Sequence, residues 1–253
     1  GAADAAPSQG APPAAKQSPI RGGCLDRPSA LVAPPIIQAM RVFRGLRHPG
    51  LLRPCALTIG NFDGVHRGHQ AMLALLINEA RHRGVPSAVL TFEPHPRDFF
   101  ARRAGQPDSA PARVATLRDK LAELERCGIL QTVVLPFDDA LASNTPAAFI
   151  EDVLVAGFGA RYVPVGDDFR FGAKRAGDYA MLDAAGAQHG FDVARMQSYE
   201  VHGLRVSSSA VRDALAGGNV IGMVQPKNPK AEGAQPAVYP VGCAGKIVNC
   251  RKT

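Results

Sequence analysis

An α/β fold, in which a parallel sheet is covered by helices on both faces, is the architecture this sequence predicts. Three observations predict it. From residue 55 to 216 short apolar runs alternate with segments of helical periodicity, the pattern of strands joined by helical crossovers. A Gly-rich turn separates the first apolar run, Cys55-Ala56-Leu57-Thr58-Ile59, from the first helical segment, Gln70-Ala71-Met72-Leu73-Ala74-Leu75-Leu76. Helix punctuation sits where the alternation needs it: Thr145 then Pro146 as N-cap and first helical residue, and Gly84 as a C-cap glycine.

The strands are predicted at 56–60, 87–92, 131–135, 162–165 and 191–195, and the helices at 66–82, 116–126, 147–156, 179–189 and 208–216. Residues 1–39 are rich in Ala, Pro, Gly and Ser, a composition that buries little and stays disordered. They lack the basic start and long apolar segment of a secretory signal. Met40 reads as the physiological start and 40–218 as the folded domain. Residues 219–253 read as an irregular tail, because Pro226, Pro229, Pro236 and Pro240 break any helix; only 237–241 suits a short strand.

Composition excludes several classes of function. The 253 residues are 46% hydrophobic, enough for one sizeable core. No apolar run reaches the roughly 18 residues of a membrane span, so no membrane partner is expected. The five cysteines contain no Cys-x-x-Cys pair, which argues against a disulfide framework or zinc site and for reduced, cytoplasmic thiols. The net charge is +7, but 221–253 carry five Lys/Arg against one Glu, and 1–39 carry three against two. Only +2 is left on 40–220, so no nucleic-acid partner is expected.

Four constellations carry chemistry. The first is Gly60-Asn61-Phe62-Asp63-Gly64-Val65-His66-Arg67-Gly68-His69. A strand, a Gly-rich turn and a helix N-terminus form an anion site. His66 and His69, three apart, share one face of the first turn and can donate to a phosphate as charge develops. Asn61 can donate as well, and Gly68 leaves room for a nucleotide over the helix start. The competing reading is a core-packed histidine pair. The second is Ser207-Ser208-Ser209 with Arg212 one turn on, fit either to hold a phosphate or to cap a helix beside a solvated arginine. The third, Gly166-Asp167-Asp168-Phe169-Arg170-Phe171-Gly172, follows a strand where such folds bind ligands; its alternative is a surface turn. The fourth, Thr91-Phe92-Glu93-Pro94-His95-Pro96, is read as an extended loop fixed by two prolines around His95, or as a rigid connector.

Together these residues resemble the FMN adenylyltransferase module of the bacterial bifunctional riboflavin kinase/FAD synthetase family. Four family motifs match in order at 60–70, 90–100, 165–178 and 203–215, and the resemblance covers roughly 55–218. The His-x-Gly-His element is also similar to that of the wider nucleotidyltransferase superfamily, which includes the class I aminoacyl-tRNA synthetases. The resemblance implies a Rossmann-like nucleotidyltransferase fold and transfer of AMP from ATP to FMN, giving FAD and pyrophosphate, with Mg²⁺. It implies that Asn61, His66, His69 and Arg212 are catalytic. Gly60, Phe62, Asp63, Gly68, Ser207, Ser208 and Ser209 would bind ATP. Phe92, His95, Pro96, Asp168, Phe169 and Arg170 would line the FMN side.

Two departures stand out. Ser209 replaces the family's usual Thr and keeps its hydroxyl. Residues 219–253 lack the Gly-rich start and the Pro-Thr-Ala-Asn motif of the family's kinase domain, so riboflavin kinase activity is expected to be absent from this polypeptide. Two other readings compete with FMN adenylyltransferase: another small-molecule nucleotidyltransferase, and a flavin- or nucleotide-binding remnant without activity. The sequence assigns no metal ligand and no oligomeric state.

Overall fold

The computed structural model describes residues 39–201 and 204–216, together with Gly1. The tail from 217 onward, its suggested strand at 237–241 and the extension at 2–38 lie outside the described residues. Six strands form one sheet: β1 (Arg41–Arg44), β2 (Cys55–Ile59), β3 (Ser87–Glu93), β4 (Gln131–Pro136), β5 (Ala160–Gly166) and β6 (Asp192–Met196). Their order is β1-β4-β3-β2-β5-β6, and every pairing is parallel.

Both faces of β2 are covered, and all five of its residues are buried, as a strand inside a parallel sheet requires. The pleat sends alternate residues to two cores. On one side Ala56 and Val89 pack with Leu73, Leu76 and Ala80 of α1 (Arg67–His82) and with Leu124 of α2 (Leu117–Arg126). On the other, Leu57 and Leu90 pack with Ile150, Val153, Leu154 and Phe158, and with Leu182 of a later helix. The parallel α/β sheet with helices on both faces is therefore what the chain forms.

Helix ends follow local chemistry. In α1 the Gly84 N–H donates to Arg81 and the Val85 N–H to Ala80, with Gly84 at φ +65. This is a Schellman closure. The helix carrying Leu124, α2 (Leu117–Arg126), starts with Thr116 accepting from the Asp119 N–H. Thr145 caps Pro146–Ala148 through the Ala148 N–H. That turn continues as a π-helical segment, Phe149–Phe158, where an ordinary helix is predicted, and ends at left-handed Gly159. Further on, α3 (Tyr179–His189) is capped by Asp178, and α4 (Ser208–Ala216) begins behind Ser207.

Besides the π-helical segment, three further elements differ from the sequence reading. The segment after Pro94 is not an extended loop: residues Pro96–Arg103 form a helix with His95 as its N-cap. Pro96 occupies the first turn, where its missing N–H costs nothing. Strand β1 was not anticipated, because only Phe43 of its four residues is buried. Short antiparallel strands Glu200–Val201 and Leu204–Arg205 precede α4.

The chain winds from β2 through β3 to β4 on one side, then crosses to β5 and β6 on the other. The switch lies between the carboxyl ends of β2 and β5, the place where open α/β sheets take ligands.

Candidate active site

The turn after β2 is fixed from behind. The Gly60 N–H donates to Leu90 of β3, and Thr91 Oγ1 donates to the Asn61 carbonyl at 3.3 Å. Phe62 and Val65 take positive φ angles of 48° and 35°, yet both side chains are buried. Gly64 sits at φ +84, and a Cβ there would lie 2.6 Å from Val114. The glycine is needed for both reasons.

His66 stands one residue before the helix, as its N-cap, where the sequence reading has it as the first helical residue. Its Nδ1 accepts from the His69 N–H at 3.4 Å. That bond places the neutral ring's proton on Nε2. The two imidazoles stack with centroids 3.7 Å apart, and Phe62 lies 5.0 Å from His69 on its other side. Burial pushes His66 down to about 4, against an opposing pull from Asp63. Burial, then His66 and Lys120, hold His69 well below the usual imidazole range. At neutral pH the pair is uncharged and offers N–H donors, with the His69 Nδ1 and the Asn61 Oδ1 buried and unpartnered.

Two cavities meet at this pair. The larger, about 780 Å³, is bounded by Gly60, Asn61 and Phe62, by the aromatic rings of Phe92, Phe137, Phe169 and Phe171, and by Pro96, Arg97 and Arg170. The smaller, about 240 Å³, is lined by His66, Gly68, Ser198, Tyr199, Arg205, Ser207 and Ser208. His69, Met72, Gly166 and Asp168 line both. Gly68 forms part of the smaller cavity's floor, and a Cβ there would meet the His66 ring at 3.3 Å and Tyr199 at 3.4 Å.

The sequence-predicted residues thus divide into groups. Gly60, Asn61, Phe62, His69, Phe92, Pro96, Asp168, Phe169 and Arg170 face the larger cavity. His66, Gly68, Ser207 and Ser208 face the smaller. Asp63, His95, Ser209 and Arg212 line neither.

Their surroundings give the reasons. Asp63 is 2% exposed. One of its oxygens accepts from the Val114 and Ala115 N–H groups and the other from Arg212. Arg212 also donates to the Ala112 carbonyl at 2.7 Å, so its fork faces protein rather than open solvent. Ser207 caps α4 through the Ala210 N–H, and Ser208 Oγ donates to the Asp63 carbonyl at 2.8 Å. Ser209 is exposed. His95 is buried, its Nδ1 accepts from the Arg97 N–H, and burial pushes it down to about 4.

Sequence reasoning missed several members of the site. Arg205 donates to Asp168 at 2.9 Å, and Ser198 donates to Asp167 at 2.7 Å. The Ser198 bond, ahead of Arg205, holds the Asp167 carboxyl below its ordinary value. Lys120 is fully buried and donates to Thr91 Oγ1 at 3.2 Å. Its signal was a lysine one turn before Leu124 on the buried stripe of α2. Arg113 binds Glu93 and Asp98 at 3.0 and 2.7 Å. Among the described residues no group of three or more His, Cys, Asp or Glu side chains is placed to hold a metal ion.

Comparison with known proteins identifies the family. A family model described as FAD synthetase matches residues 49–210. The chain is 45% identical over 183 residues to the bifunctional riboflavin kinase/FMN adenylyltransferase of Escherichia coli K12, covering 72% of this chain and 57% of that protein. It is 48% identical over 181 residues to the protein of the same name from Pseudomonas fluorescens, covering 70% and 55%. It spans little more than half the length of these curated relatives. A solved structure of a macrolide-efflux protein from Streptococcus pneumoniae shares the fold, with a TM-score of 0.58 at 23% identity over 72% of this chain and 59% of that one. With a six-stranded parallel sheet, a histidine pair at its switch point and this match across most of the described residues, the chain belongs to the FAD synthetase family.

Proposed function

We propose that this protein is an FMN adenylyltransferase, taking AMP from ATP to FMN and releasing pyrophosphate. The observation that carries the reading is His69 on the wall shared by the two cavities. A phosphate reached from both sides would lie against it. ATP occupies the smaller cavity, over Gly68 and beside Ser207 and Ser208. FMN occupies the larger, its planar ring among Phe92, Phe137, Phe169 and Phe171. Asn61 and Arg170 line the same cavity and offer polar groups to the FMN phosphate.

An FMN phosphate oxygen attacks the ATP α-phosphorus. The bond from that phosphorus to the β-phosphate bridging oxygen breaks, and pyrophosphate leaves with the electron pair. The protein supplies position and donors rather than a nucleophile. The His66 Nε2–H, the His69 ring and the α1 N-terminus stabilise charge gathering on the α-phosphate. Arg212 acts through the Asp63 turn, which it braces. Mg²⁺ enters as part of the MgATP substrate, where it keeps most of its waters.

The substrates are small molecules. No helix among the described residues is long and apolar enough to cross a membrane. A reducing, cytoplasmic location fits the free thiols of Cys55 and Cys127. Incubation with FMN and MgATP, followed by chromatography for FAD, tests the reading. FAD formed at equal rates by the native protein and a His69→Ala variant would sink the assignment of the site; binding of both substrates without FAD would favour the inactive remnant.

A further inference from the structure

Beneath the Asn61–Gly64 turn lies a charge cluster in which Asp63 and Lys120 are buried and the remaining groups half-buried. It holds three carboxylates, Asp63, Glu93 and Asp98, and three cations, Arg113, Lys120 and Arg212. Two of the cations are directly paired: Arg113 takes Glu93 and Asp98, and Arg212 takes Asp63. Lys120 has no carboxylate within ion-pair distance among the described residues. Among the described residues its one hydrogen bond is to Thr91 Oγ1, which passes the contact on to the Asn61 carbonyl.

Burying an ammonium costs several kcal/mol, and a leucine would fill the same stripe of α2 without that cost. A charge kept under these terms needs a compensating role. Without it the cluster would carry one net negative charge directly behind the turn that receives phosphates.

We propose that Lys120 is a positioning residue for nucleotide binding, which braces the Asn61 carbonyl through Thr91 and cancels the negative charge of the carboxylates behind the phosphate site. The proposal rests on the adenylyltransferase reading. The groups facing the lysine are Glu93 at the end of β3, Arg113 in the following loop, Asp63 in the turn, and His69 and His95, which burial keeps neutral. Burial, with Arg113 adding to it against Glu93 and Asp63, brings the ammonium down to about 8. An arriving anion would favour its charged form.

Charge rescue separates this role from simple packing. Lys120→Met is expected to raise the KM for FMN, whose cavity Asn61 lines, and for MgATP about tenfold or more, with a smaller effect on kcat. Adding Glu93→Gln, which removes one negative charge and keeps the shape, is expected to restore KM to within about threefold. An unchanged KM in Lys120→Met, or a double variant no better than the single, overturns the proposal. Should Lys120→Met fail to fold, calorimetry of MgATP binding to the native protein at pH 8 in two buffers of different ionisation heat decides it. Proton uptake supports the lysine's role, and none refutes it. A native protein that makes no FAD would remove the adenylyltransferase reading, while MgATP affinities of the same proteins would still decide the role of Lys120.

Discussion

The Asp63 carboxylate and the Arg212 guanidinium, 149 residues apart in sequence, form one ion pair that ties the turn after β2 to the last described helix. The Asp63 side chain is 1% exposed and that of Arg212 15%. The same carboxylate holds the Val114 and Ala115 amides. One buried acid therefore fastens three separate segments.

Asp63→Asn leaves Arg212 without its counter-charge and is expected to cost about 3 kcal/mol of stability. Urea unfolding measures it. A loss below about 1 kcal/mol would show that the pair does not organise the turn.

His69→Ala removes one of the side chains that line both cavities. A fall in kcat of about 10²–10³ is expected, the scale for losing one preorganised donor, with little change in KM. Steady-state rates of FAD formation supply the check. An increase confined to KM would instead make His69 a binding group.

Gly64 and Gly84 both have positive φ, but only Gly64 is crowded: a Cβ there meets Val114 at 2.6 Å, whereas Gly84 has nothing within 4 Å. Gly84→Ala is expected to lose about 1 kcal/mol, the left-handed penalty alone. Gly64→Ala should lose at least about 1 kcal/mol more through overpacking. Thermal melts of the two variants, run side by side, distinguish backbone strain from crowding.

Acid should destabilise the fold. His66 and His95 are brought down to about 4 by burial, and His69 is held well below the usual range. Between about pH 6.5 and 4 the unfolded chain binds protons that the folded chain refuses. Stability is full above about 6.5 and is lost as pH falls toward 4, by up to about 1.4 kcal/mol per pH unit for each histidine. Urea midpoints at pH 7.5, 6 and 5 test this, and a flat profile would mean that the rings are accessible to protons.

The sequence by itself determined the parallel α/β architecture, the placement of His66 and His69 at a helix start, and the loop at the end of β5. These rest on short-range features: strand-length apolar runs, helical spacing, glycine in a turn and caps beside helices. Even locally one reading failed. Two prolines around His95 predict a stiff loop, yet Pro96 is equally at home in the first turn of the helix that His95 caps.

The tertiary structure alone decided which motif residues face ligand space and which brace it. Asp63 and Ser207 look alike in sequence as polar residues of nucleotide motifs. Folding turns Asp63 inward to Arg212 and leaves Ser207 on a cavity wall. Lys120 gave no sign beyond one position on a helical stripe, and its importance comes from Thr91 and from carboxylates already paired elsewhere. Ion pairs between residues far apart in the chain leave no periodic trace. They exist only once the sheet has brought β2, β3 and the last described helix to the same end.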